Sequence, residues 1–502
     1  MRTFLTTDRC RNGREVLGWR GGAGFTAPSA PWREDESFRR AGPGRQPAGR
    51  SGRLAALALT GYLVLGRGLA GWAAEWRVGP GEAFSRVEAA VAAAQPGDTV
   101  LVLPLPGNVP YPQVALRLTR PRVVVRAAGP ADAPVPLSGR GYDYTGHGAT
   151  PRAIVQFEPG ADDCVLEGFE LFGAHNDSHN GAGVRINQAN RVTVRHCVIH
   201  DNDMGVMSNG DGTPACGVDQ LIERCRIFNN GDLSHPGYNH NLYLGGTSVT
   251  VLGCEIHSSL TGHNVKSRAH RTLVLGCYVH DSANREFDLV DAVGDTTVAG
   301  SDAVLAGNII VKAPDCRGNR GVVHFGQDGG HEHDGTVYLA HNTIVTPFQS
   351  PVVYLSAGRA RAALFNNLLW SGGGQASGQV LVDGYAVSNR VTGAGNWLSA
   401  GFSGAALDRL PLRSTRVAAA GTANPFVNTQ AGDYRLAAGL PGLADTGQPL
   451  PPQLTQILGR PLVEYRPGPD WQPRADDGKP DAGAHEFVPA RGRDAARASD
   501  TR

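Results

Sequence analysis

Hydrophobic and polar residues settle into a regular order only from Gly79 onward. The stretch "GPGEAFSRVEAAVAAAQPGDTVLVLP" (79–104) predicts one amphipathic helix with Phe84, Val87 and Val91 on a face. Pro96-Gly97 stops it, and a Val/Leu strand follows at 99–103. Beyond that point the helical period disappears, and a short motif recurs: hydrophobic-x-x-[Cys/Asn]-x-hydrophobic. It reads "LEGFEL" at Phe169, "VRHCVI" at Cys197, "IERCRI" at Cys225, "VLGCEI" at Cys254 and "VLGCYV" at Cys277. It continues as "LAGNII" at Asn308, "LAHNTI" at Asn342 and "LFNNLL" at Asn367. The steps are 28, 28, 29, 23, 31, 34 and 25 residues.

An irregular period in the twenties, with short strands and Gly/Asn turns, fits the coils of an all-β solenoid, a parallel β-helix. Leucine-rich repeats share the period but need regular leucines, which are absent. Stacked coils place equivalent residues in ladders about 4.8 Å apart. Four of the seven cysteines after residue 74 share one slot with Asn308, Asn342 and Asn367, and so read as small interior residues. No C-x₂₋₄-C pair occurs to hold zinc. The residues 79–103 also resemble the N-terminal cap and first strand of right-handed parallel β-helix proteins. "NPFVNTQAGDYRLAAGLPGLADTG" and "DDGKPDAGAHEF" resemble a closing segment of bacterial members, so the resemblance to this pectin-lyase-like superfamily spans residues 77–487. That resemblance implies a single-stranded right-handed parallel β-helix with an N-terminal capping helix.

Composition narrows the reading further. Lys and Arg number 47 against 46 Asp and Glu, which removes a bulk electrostatic case for nucleic-acid binding. Gly and Pro together supply 67 and 33 of 502 residues without a collagen period, as a turn-rich β protein requires. Only three lysines occur, Lys266, Lys312 and Lys479, and 15 of 16 histidines fall between His147 and His341. Residues 1–52 read as a disordered leader or a misplaced start. Arg53, the apolar run Leu54–Gly66 and the small residues to 74 read as an export signal at 53–74. The expectation is a β-helix over 77–440, a closing segment over 441–487 and a disordered tail over 488–502. The protein is expected to be exported to the periplasm or medium as a monomer, with no stable membrane span after signal removal.

Each coil carries a second strand before the ladder strand. Aligned, these strands put Arg185, Met207, Tyr243, Lys266, Asp288 and His324 in one outward column, because side chains alternate along a strand. His240 and His263 stack beside it, as do Asn241, Asn264 and Glu286. Three coils insert extra residues just after this strand, at 209–217, 291–302 and 326–335, and solenoid insertions map to one face. The column therefore brings together bases (Lys266, His240, His263), cations able to neutralise a carboxylate (Arg268, Arg271, Arg285) and acids (Glu286, Asp288, Asp291). Catalytic roles are expected for Lys266, His263, His240, Arg268, Asp288 and Arg285. Tyr243, Arg185, Arg271, His324 and Asn241 are expected to bind substrate. β-Elimination on a uronic-acid polymer needs this set: a base for the C5 proton, a cation for the enolate and a proton donor for the leaving oxygen.

"VKSRAHRTLVLGCYVHDS" resembles the alginate lyase and chondroitinase-B family of this fold, in which a Val-Lys-Ser strand carries the basic lysine. The resemblance implies a base role for Lys266. It also implies a calcium ion held by Asn and acidic residues on adjacent coils, with Asn264 and Glu286, joined by Asp291, as candidates. The acid Arg of that family falls where this chain has Phe287-Asp288, with Arg285 slightly displaced. The functional expectation is an exported polysaccharide lyase or C5-epimerase acting on an anionic glycan. The alternatives are an inverting glycoside hydrolase and a non-catalytic glycan-binding protein. Against the hydrolase, Asp288 and Asp291 lie three apart on a strand and so face opposite ways. A plain reading also stands for each residue: Lys266 and Asp288 as a surface ion pair, "GGHEHDG" with His331 and His333 as a polar loop, and "NGDGTPACG" as a simple insertion.

Overall fold

The computed structural model describes residues 73–130, 132–146, 151–372, 378–384, 390–402, 405–437 and 442–487. The leader, nearly all of the signal segment and the tail lie outside these residues. The chain winds as a right-handed coil whose strands stack in register into three parallel sheets of 13, 11 and 10 strands, here sheets I, II and III. From Val124 to Gly384 each coil visits them in that order. One coil, for example, runs Thr193–Arg195, Val198–His200 and Met204–Asn209.

A single residue with positive φ makes the corner between sheets I and II in successive coils, as at His196, Arg224, Gly253 and Gly276. The Cys/Asn slot follows immediately, which is why the motif keeps its spacing while the loops vary. At this corner the slot side chains from Cys254 onward accept from the slot amide of the preceding coil. Cys254 Sγ accepts from Cys225 N at 3.4 Å, and Asn308 Oδ1 from Cys277 N at 2.9 Å. Asn342 Oδ1 then accepts from Asn308 N at 3.0 Å, and Asn367 Oδ1 from Asn342 N at 3.1 Å. All seven described cysteines are free and buried, in keeping with their reading as interior residues.

The core is a column of aliphatic layers. Sheet III contributes Val184, Val206, Leu242, Val265, Phe287, Val323 and Val353, all buried. The N-terminal helix spans Val87–Ala93 and buries Val87, Ala90 and Val91 against the first coils. Phe84 lies outside this helix; it forms a bridge with Val78, so only part of the expected face is helical.

The segment 442–487 closes the fold along its side rather than its end. Its helix, Pro452–Leu458, and its hairpin, Val463–Arg466 with Asp470–Pro473, lie on sheet I. Leu454, Leu458 and Val463 cover Leu252, Leu275, Val304 and Tyr338. Trp471 Nε1 donates to Glu223 at 2.9 Å. A β-carbon at Gly253 would lie 2.5 Å from the Trp471 ring, so glycine there serves both the left-handed corner and the strap.

Candidate active site

Sheet III carries the outward column, with Arg185, Met207, Tyr243, Lys266, Asp288, His324 and Tyr354 paired in consecutive register. Tyr354 extends it one coil beyond the sequence alignment. Asp288 is the hub, with its side chain 2% exposed and four partners around it. Lys266 Nζ lies at 3.2 Å, His263 Nε2 at 3.4 Å, Arg285 Nη1 at 3.0 Å and His324 Nδ1 at 2.8 Å. A buried carboxylate survives only with such compensation. Burial pushes the Asp288 carboxyl up, but His263, Lys266 and His324 outweigh it and hold the group well below its usual range.

The second centre is Asp328, from the insertion 326–335. Its Oδ2 lies 2.7 Å from Lys266 Nζ and 2.5 Å from Arg268 Nη2. Arg268 Nε also donates to Tyr243 Oη at 3.0 Å. Asp291, just past its strand, accepts the backbone N–H groups of Asp328, Gly329 and His331 and so shapes this loop. Loops 209–217 and 291–302 meet beside it: a β-carbon at Gly294 would be 2.7 Å from the Gly212 carbonyl. All three insertions thus stand on one flank of the column.

The histidines occupy the other flank. His240 and His263 stack at 5.1 Å, and the His263 amide donates to His240 Nδ1 at 3.0 Å. Burial, with the His263 and Lys266 charges adding to it, pulls His240 well down; burial pulls His263 down to about 3. Both imidazoles are neutral at ordinary pH, and His263 Nδ1 is buried with no hydrogen-bond partner. Lys266 is the reverse case. Burial lowers its ammonium, but Asp288 and Asp328 more than offset this, leaving its pKa raised. It stands in the site as a cation rather than as the free amine a base role requires.

Several expected site residues lie elsewhere. Asn241, Asn264 and Glu286 point into the corner between sheets II and III, each 0% exposed. Asn241 Nδ2 donates to Asn264 Oδ1 at 2.8 Å and Asn264 Nδ2 to Glu286 Oε2 at 2.6 Å. Lys312 ends this ladder on Glu286 Oε1 at 3.2 Å, both side chains fully buried. Side chains saturated in this way neither reach substrate nor fit a calcium ion. Asp291, committed to three backbone amides, does not fit one either. Arg271 belongs to sheet I, in register with Ser248, and does not join the column. Arg185 is in the column two coils before Tyr243 and touches Met207 Sδ at 3.8 Å. His333 is buried on Phe325, with its Nε2 3.1 Å from Ser301 Oγ.

The sequence reading missed Asp328 and Ser356. The first sat in a loop recognised only as an insertion, and the second lies one coil past the alignment. It also missed His179, Asp232 and His235, whose donor atoms lie within 4.8 Å of one another on two corner loops.

A sequence profile for the right-handed beta helix region matches residues 182–368. No curated protein matches the chain. Among solved structures, it is similar to pectate lyase Pel9A, with 14% identity, 83% of this chain and 96% of that one covered, and a TM-score of 0.50. It is also similar to an alginate lyase from Paenibacillus sp. str. FPU-7, with 17% identity, 69% and 99% coverage, and a TM-score of 0.42. The likeness to the pectate lyase is one of fold: with its three stacked parallel sheets, the chain is a right-handed parallel β-helix protein.

Proposed function

We propose that the protein acts on an anionic, uronic-acid-containing polysaccharide at the sheet III column, by β-elimination or the related C5 epimerisation. One observation carries this reading. The Asp328 carboxylate, brought in by a loop, bridges Lys266 and Arg268, so the site accommodates a carboxylate between two cations. A uronate carboxylate exchanging with Asp328 would be neutralised there, and its C5 proton made more acidic.

In this scheme neutral His263 accepts the C5 proton at Nε2, since its Nδ1 is buried. The electron pair forms the C4–C5 double bond as the C4–O bond breaks, and the Lys266 ammonium gives its proton to the departing oxygen. Arg285 holds Asp288, and through it the orientation of Lys266 and His263. Epimerisation shares the first step and returns a proton to the opposite face of C5. Calcium has no part in the scheme.

The test is incubation with a panel of uronate polymers in deuterated water. Deuterium uptake at C5, or chain ends that absorb in the ultraviolet, supports the reading. New reducing ends with neither signal would mean hydrolysis instead, and binding without turnover would mean a glycan-binding protein.

A further inference from the structure

Asp288, His324 and Ser356 fall on three consecutive coils and connect through one imidazole. His324 Nδ1 lies 2.8 Å from Asp288 Oδ1, and His324 Nε2 lies 2.7 Å from Ser356 Oγ. The carboxylate fixes the tautomer: Nδ1 carries the proton, so Nε2 is the acceptor for the serine hydroxyl. The Gln327 amide donates to Ser356 Oγ at 2.7 Å, occupying one lone pair and leaving the hydroxyl proton for His324. The alternative acceptor, the Gln327 carbonyl, lies farther away at 3.4 Å.

Asp288 and His324 are buried, while Ser356 is half-buried and reachable. Gly326, the residue paired beside Ser356 on the preceding coil, makes the contact sterically possible. A β-carbon there would lie 2.4 Å from Ser356 Oγ, and its φ of +145° disfavours other residues. Nothing in the elimination scheme uses Ser356, and a hydroxyl needed only for solubility would not require this room.

We infer that Ser356, His324 and Asp288 form a nucleophilic triad that hydrolyses carboxylic esters, with an O-acyl group on a sugar hydroxyl as the class of substrate. That the alcohol is a sugar rests on the proposed function; the ester chemistry does not. Ser356 Oγ attacks the acyl carbon as its proton passes to His324 Nε2. The tetrahedral adduct expels the sugar hydroxyl, which takes that proton, and leaves an acyl-serine. Water then attacks, giving a proton to His324. Cleavage of the acyl–Oγ bond releases the carboxylic acid, and Ser356 recovers its proton. Asp288 stays ionised throughout and orients the ring.

The full-length protein is treated with a fluorophosphonate reagent and the adduct located by peptide mass spectrometry. Hydrolysis of p-nitrophenyl acetate is followed in parallel for wild type, Ser356→Ala and His324→Gln. The expected result is an adduct on Ser356 that His324→Gln abolishes, and a fall in ester hydrolysis of at least about 100-fold in Ser356→Ala. An adduct on another residue, or no adduct, overturns the triad, as does undiminished hydrolysis in Ser356→Ala. Labelling of the wild type decides the matter even if a variant misfolds. Neither readout depends on glycan chain cleavage, so failure of the elimination reading leaves this one standing.

Discussion

A carboxylate that collects four basic partners organises the chemistry of this chain at the level of single residues. Asp288 holds Lys266, His263, Arg285 and His324 together from three consecutive coils, and the charge states that follow dictate a pH profile. The proposed base, His263, must be neutral and is so above about 3; the proposed acid, Lys266, must be protonated, and its pKa is raised. The expected kcat/KM profile for elimination is therefore a broad plateau from mildly acid to mildly alkaline pH. A steep rise centred near the ordinary histidine pKa would show that another group is the base. The buried pair Lys312–Glu286 makes a second residue-scale prediction. Lys312→Met leaves a buried carboxylate unpaired and is expected to cost about 3–5 kcal/mol in denaturant titration, most of it recovered in the double variant with Glu286→Gln.

At the scale of elements, the inserted loops turn a strand face into a site. The loop around Asp328 is pinned by Asp291 yet places its carboxylate where substrate would bind. Asp328→Ala is expected to tighten binding of a uronate oligosaccharide several-fold by calorimetry, because no internal carboxylate then competes for Lys266 and Arg268. Weaker binding would mean that Asp328 positions the cations instead. Strand alternation and repeat spacing made the column from Arg185 to His324 legible in the sequence, since both follow from backbone geometry. What alternation could not supply was depth at the corners. Asn241, Asn264 and Glu286 precede their strands, where the chain turns inward, so polarity there marks a hydrogen-bonded ladder rather than a binding face. Histidine clustering misled in part for the same reason. His200, His257 and His280 belong to a ring stack on sheet II, with Phe228 between the first two, and spacings of 4.8–4.9 Å set by coil repeat.

For the whole molecule, the solenoid depends on what covers its sides as well as on its stacked layers. The helix and hairpin of 442–487 bury a row of apolar side chains on the outside of sheet I that the coils alone would expose. Truncation after residue 441 is expected to lower the melting temperature markedly and raise dye binding to apolar surface, whereas an unchanged melting curve would make the strap dispensable. The described coils form one solenoid, with its proposed chemistry confined to a single face. The cation pair Lys266 and Arg268, bridged by Asp328, is expected to drive turnover of an anionic glycan. This role is tested most directly by the rate of unsaturated chain-end formation, read by ultraviolet absorbance on uronate polymers, for wild type and Lys266→Ala. The wild type is expected to turn over at least one polymer and the variant to lose about 100-fold or more of that rate; equal rates, or no product from any polymer, would rule out this role for Lys266.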